Sequence, residues 1–281
     1  MNNATYQLQR DYTLSIIGSG QLATSYLTGL RASGFPLHRC VCLRRSNPSS
    51  RFKLMPCADT FFGVECTSDL DKLPLDVVIL AIKRKDIRTL AEALRRTGRR
   101  PAILLSTIAG MSLADLAKAF TPSLGVVRCM PNLGVAVRYS STLVWPYADL
   151  AEPTKQIVHD LFGSVGTLWP MASESMLDAV TAFAAAGPAY IARMAVALER
   201  AGAGLGLDAA TSAAIAKELC VSTGKLLQSS SSSLNTLMAG VASPGGMTER
   251  GLDHLDAAGL DGNVLGAMHQ SLNILCNIKG I

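Results

Sequence analysis

A chain of 281 residues has room for one large domain or two of ordinary size, and 49% hydrophobic with 17% charged residues excludes a disordered chain. No uncharged run reaches bilayer length, and the first residues (MNNATYQLQRDY) have neither the apolar core nor the cleavage pattern of a signal peptide. The net charge of +5 is uneven: residues 1–100 carry 16 Lys and Arg against 8 Asp and Glu, the remainder 10 against 13, so the front half suits an anionic partner.

In chain order, 13–17 is a short β-rich run ending in Gly18-Ser19-Gly20, a helical pattern follows over 21–32, and Gly34 closes it. The next strand is 40–43. Cys40 and Cys42 share a face of it, and seven cysteines without C-x-x-C spacing or a nearby histidine predict a reduced, cytoplasmic protein with no metal site. Residues 76–82 form a continuous apolar run, as expected for a strand buried on both faces of a parallel sheet, and 101–106 and 126–129 repeat it. Helices over about 86–96 and 112–119 separate these strands. The alternation predicts an α/β fold whose first part is a doubly wound, Rossmann-type sheet.

From about residue 172 strand signals cease. Alanine-rich helices are expected at 173–184, 187–205, 208–228, 247–257 and 261–277, with a break before Pro188 and a solvated loop at the serine run 229–233. The boundary falls after Pro170, giving an α/β domain over 1–170 and an all-α domain over 171–281. None of the four histidines has a metal partner at ligand spacing.

The segment Gly18-Ser19-Gly20-Gln21-Leu22-Ala23 is G-x-G-x-x-A between a strand and a helix. Gly18 permits the tight turn, Gly20 lets a pyrophosphate approach the backbone, and Ala23 allows close helix–strand packing. An NAD site usually ends its second strand with a carboxylate near the ribose hydroxyls. Here the strand runs into Arg44-Arg45-Ser46, so NADP(H) is expected over NAD(H), with Ser46 and one arginine at the 2′-phosphate. Ala81 and Lys83, then Thr107 and Ala109, follow later strands and should line the nicotinamide side. Low aromatic content (5%) and scattered basic clusters argue against nucleic acid as the anion.

Ser243-Pro244-Gly245-Gly246, taken alone, is either a break between helices or an amide cradle for an anion, and Thr248 is either an N-terminal cap or a ligand. Several segments together resemble the pyrroline-5-carboxylate reductase family: IIGSGQLA at 16–23, VILAIKRK at 78–85, STIAGMSL at 106–113, RCMPN at 128–132, DAVTAFAAAGPAY at 178–190 and VASPGGMT at 241–248. The resemblance implies NAD(P)H-dependent reduction of a small cyclic imine, pyrroline-5-carboxylate to proline or a related cyclic imino acid. It also implies a C-terminal domain that forms a homodimer or higher homo-oligomer, with no nucleic-acid or membrane partner. On that basis the amides of Gly245, Gly246, Met247 and Thr248 would hold the substrate carboxylate. The hydroxyl of Thr248 would donate to the ring nitrogen, with Asn132 and Tyr190 as further substrate contacts.

The chain departs from the family pattern at several of these positions. Leu133-Gly134 replaces Thr-Pro after M-P-N, Ala184-Ala185-Ala186 stands where the family has Ser-Gly-Ser, and Met247 stands where Thr or Ala is common. Lost polar groups weaken discrimination for a polar substrate. Two alternatives follow: an altered, greasier imine, or a non-catalytic NADP-binding paralogue with a sensing or assembly role. A hydroxy-acid dehydrogenase would need a catalytic Lys or His in the helical part, and Lys217 and Lys225 lack the surrounding motif.

Overall fold

A computed structural model describes residues 12–43, 60–61 and 64–279. Among the described residues, nine strands form one sheet: β1 (Leu14–Ile17), β2 (Cys40–Leu43), β3 (Thr60–Phe61), β4 (Val64–Thr67), β5 (Val77–Leu80), β6 (Ile103–Ser106), β7 (Gly125–Met130), β8 (Ser140–Trp145) and β9 (Gly166–Pro170). Their order is β3-β4-β2-β1-β5-β6-β7-β8-β9. All pairs are parallel except β3–β4 and β7–β8. The chain builds outward from β1 in one direction, then returns beside β1 with β5 and builds in the other. The gap between β1 and β5 is therefore the switch point at which open α/β sheets bind ligands.

Alternation along the strands gives each face its own core. Leu14, Ile16, Val77, Ile79, Ile103 and Leu105 face one layer, with Tyr26, Leu27 and Leu30 of α1 (Gln21–Ala32) and Val158, Leu161 and Phe162 of α4 (Glu152–Phe162). Ile17, Val78, Leu80 and Leu104 face the other, with Ile87, Leu90 and Leu94 of α2 (Ile87–Arg96) and Leu116 and Phe120 of α3 (Leu113–Phe120). Each such side chain contributes roughly 1.5–3 kcal/mol by leaving water. That two-sided burial is why these strands lack polar alternation.

The sequence reading missed α4, β8, β9 and the outer strands β3 and β4, whose short or mixed runs carry no strong period. Five further helices follow β9: α5 (Glu174–Gly204), α6 (Ala209–Ser229), α7 (Leu234–Val241), α8 (Met247–Ala257) and α9 (Leu260–Lys279). Two differ from expectation. α5 continues through Pro188 with no break at 185–186, and α7 is not among the expected helices. The last residue of the serine run, Ser233, caps α7 by accepting from the Thr236 N–H at 3.1 Å, so the run ends as a helix start. By length and composition alone α5 could cross a bilayer.

Although strands end at Pro170, packing divides the chain later. One compact unit comprises Met1–Ala185 with Leu272–Ile281, the other Ala186–Ser271. The second exposes many large apolar side chains, among them Ile191, Val221, Leu226, Leu234 and Leu265.

Candidate active site

In the first unit, β1 ends at Gly18, which is fixed from three sides. Its N–H donates to the carbonyl of Leu43 at 3.0 Å, closing the end of β2 onto β1. Its own carbonyl accepts from Cys42 Sγ at 3.4 Å. Its φ of +131° is open only to glycine, and a β-carbon there would lie 2.2 Å from the carbonyl oxygen of Ala81 at the end of β5. Gly18 is thus the stitch across the switch point.

A β-carbon at Gly20, by contrast, would meet none of the described residues within 4 Å, and Gly20 caps α1 without a side-chain bond. No acid lies in the first turn of α1, so its partial positive charge is unopposed there, a geometry that suits an anion. Ser19 is half-buried and Gln21 exposed beside it. Leu22, Ala23, Ala81 and Thr107 border one small apolar cavity together with Pro131, so four of the cofactor residues read from sequence meet here. Thr107 spends both its N–H (3.1 Å) and its hydroxyl proton (2.8 Å) on the carbonyl of Leu80, which leaves the hydroxyl oxygen as an acceptor. Ala109 packs beside Met130 and Leu143. Lys83 is exposed at the start of a 3₁₀ turn, and the neighbouring Arg84 donates from Nη1 to the Gly110 carbonyl at 3.0 Å. Arg44, Arg45 and Ser46 lie outside the described residues.

Asn132 is spent on positioning. Its Oδ1 accepts from the Gly134 N–H at 2.8 Å, capping a 3₁₀ turn over Leu133–Val137. Its Nδ2 donates to the carbonyl of Ala184 at 3.1 Å. That carbonyl is the one Pro188, four residues on and lacking an N–H, leaves without its helical donor. This explains how α5 runs on through a proline: a side chain of the M-P-N segment replaces the missing donor.

Sequence reasoning assigned no role to Arg128, although RCMPN begins with it. Fully buried on β7, it donates from Nη1 to Glu174 (2.9 Å) and from Nη2 to Asp178 (2.8 Å), one turn apart on α5. Glu174 also accepts from the Leu113 N–H at 2.6 Å, at the start of α3. A charge inside an apolar strand, with acids spaced i, i+4 downstream, was the available signal. Burial pushes the thiol of the adjacent Cys129 far above its usual range.

In the second unit, Gly245 has φ +69° and Gly246 caps α8 in an extended conformation. Of the four amides read as a cradle, two are already engaged. Gly246 donates to the Ser243 carbonyl at 2.9 Å, and Gly245 donates to Glu249 Oε2 at 2.6 Å. The amides of Met247 and Thr248, in the first turn, have no helical acceptor. Met247 is 91% exposed, and Thr248 is half-buried. Tyr190 shares a 2.7 Å hydrogen bond with the Ser271 hydroxyl and donates to the Ala267 carbonyl at 3.3 Å, so its polar end is held by α9.

Residues 174–275 match the family model for pyrroline-5-carboxylate reductase dimerisation, and residues 13–110 match that for NADP oxidoreductase, coenzyme F420-dependent. A pyrroline-5-carboxylate reductase of Aquifex aeolicus is 33% identical over 214 residues, covering 75% of this chain and 79% of its own. The chain belongs to the pyrroline-5-carboxylate reductase family. The solved pyrroline-5-carboxylate reductase of Coxiella burnetii, 25% identical, aligns over 96% of this chain and 99% of its own with a TM-score of 0.81. The Plasmodium falciparum pyrroline carboxylate reductase, solved with NADP bound, shares the fold at a TM-score of 0.79 and 20% identity, over 96% and 98%. The dimerisation match of this pyrroline-5-carboxylate reductase family member starts at Glu174, the first residue of α5, and so takes in the acids that hold Arg128.

Proposed function

We propose that this protein reduces the C=N bond of a small cyclic imine, pyrroline-5-carboxylate to proline, with a nicotinamide dinucleotide as reductant. The observation that carries the reading is the helix start at Gly18–Gly20: a stitched switch point, an open space at Gly20 and no first-turn acid, in a chain of this family. Bound there, the dinucleotide supplies the hydride. The chain itself binds and orients. The amides at the start of α8 receive the imine's carboxylate, and the Thr248 hydroxyl donates to its nitrogen. An alcohol is too weak an acid to supply a free proton, so Thr248 orients the ring and stabilises the product amine. Asn132 supports α5, and Tyr190 ties α5 to α9, so neither needs to touch substrate.

NADPH is the preferred reductant on the strength of Arg44-Arg45-Ser46, which lack the carboxylate of an NAD site. The uncovered apolar side chains of α5, α6 and α9, within the dimerisation match, suit burial against a second copy. The test is NADPH and NADH consumption with pyrroline-5-carboxylate, alongside sedimentation of the pure protein. Absence of turnover with any cyclic imine, despite NADPH binding, would favour the non-catalytic paralogue suggested by Ala184-Ala185-Ala186 and Met247.

A further inference from the structure

The loop that should receive the substrate's carboxylate carries a carboxylate of its own. Glu249, at the third position of α8, reaches back to the N–H of Gly245 at 2.6 Å, and no cation pairs with it among the described residues. Its charge therefore rests on the helix start, the same positive end that an incoming carboxylate would use. A Glu at the third helical position usually reaches back to the N–H of the capping residue, but Glu249 reaches one residue further, past Gly246 to Gly245. Here it also places a negative charge within one turn of the two amides still open, those of Met247 and Thr248.

We propose that Glu249 is a specificity-determining residue: a resident anion that competes with the imine's carboxylate for the start of α8 and lowers this site's preference for carboxylate-bearing rings. The proposal rests on the reading that this loop receives the substrate. It gives one reason why a half-occupied cradle coexists with the exposed, apolar Met247 beside it: both Glu249 and Met247 make the loop less welcoming to an anionic ring and cost an uncharged one little. No bond to substrate is made or broken by Glu249. It acts by occupying an amide and by like-charge repulsion.

The test is steady-state reduction of pyrroline-5-carboxylate and of 1-pyrroline, the same ring without the carboxylate, by the full-length protein and two variants. Glu249→Gln keeps an acceptor for the Gly245 N–H and removes the charge, whereas Glu249→Ala removes both. In Glu249→Gln, KM for pyrroline-5-carboxylate should fall about tenfold with kcat within about twofold, while constants for 1-pyrroline hold. Glu249→Ala should lower KM at least as far, at some loss of thermal stability that Glu249→Gln does not share. An unchanged or raised KM for pyrroline-5-carboxylate in both variants would overturn the proposal, as would equal shifts for the two imines, the mark of a structural cap. A fall in kcat alone would also overturn it, since that would put the carboxylate to work at the ring nitrogen. Failure of the parent protein to reduce either imine would remove the underlying reading as well, and is told apart by the wild-type rates alone.

Discussion

Helices α1 and α8 begin alike, at a glycine with extended backbone and no side-chain cap, but they differ in charge. The first turn of α1 is free of acids, whereas that of α8 holds Glu249, whose carboxylate already accepts from Gly245. A third start, that of α6, is closed outright. Asp208 accepts from the Thr211 N–H at 3.0 Å and from its hydroxyl at 2.6 Å. Every helix start offers partial positive charge, and what distinguishes a ligand site from a structural cap is whether the protein has already supplied the anion. By that measure α1 is open, α6 is satisfied, and α8 stands between them.

The largest expected effect tests the open end. Gly18→Ala sets a β-carbon 2.2 Å from a backbone carbonyl at φ +131°. It should destabilise the fold by about 3 kcal/mol, read by denaturant unfolding, and abolish NADPH binding in a fluorescence titration. Next comes α8: Thr248→Val should lower kcat about 100-fold in imine reduction with little change in NADPH affinity, and an unaffected kcat would return Thr248 to an ordinary helix residue. The comparison itself is challenged by copying the acid of α8 into α1. Gln21→Glu should weaken NADPH binding about tenfold, about 1.4 kcal/mol, while leaving thermal stability equal or slightly higher, because the same charge favours the helix and opposes the phosphates. Unchanged affinity would show that first-turn charge does not separate these helix starts.

The smallest effect concerns α6. The side-chain bond from Thr211, then its backbone N–H, lower the pKa of Asp208 below the usual aspartate value. Its contribution is thus present above that usual value and lost as pH falls through the lowered one. Melting curves of Asp208→Asn against the parent should differ slightly at neutral pH and converge in acid.

Much of the front half was legible because its signals are local. Apolar runs of four to seven residues and a G-x-G-x-x-A between strand and helix need only neighbours in sequence to be read. The C-terminal half was legible as helices, but not in its joints. Pro188 reads locally as a break, and only Asn132, 56 residues earlier, supplies the donor that keeps α5 whole. The serine run reads as solvated loop because nothing in its composition says that Ser233 faces the Thr236 amide. Arg128 has no local partner within RCMPN, since Glu174 and Asp178 lie about 50 residues downstream.

The sequence by itself determined the doubly wound sheet, the glycine turn between β1 and α1, and the family to which the helical half belongs, because periodicity and short glycine motifs are set by residues a few positions apart. Only the tertiary structure decided which polar groups remain open. A hydrogen bond is settled by what lies within 3 Å, and at Gly245, Asn132 and Arg128 that neighbour is chosen by the fold.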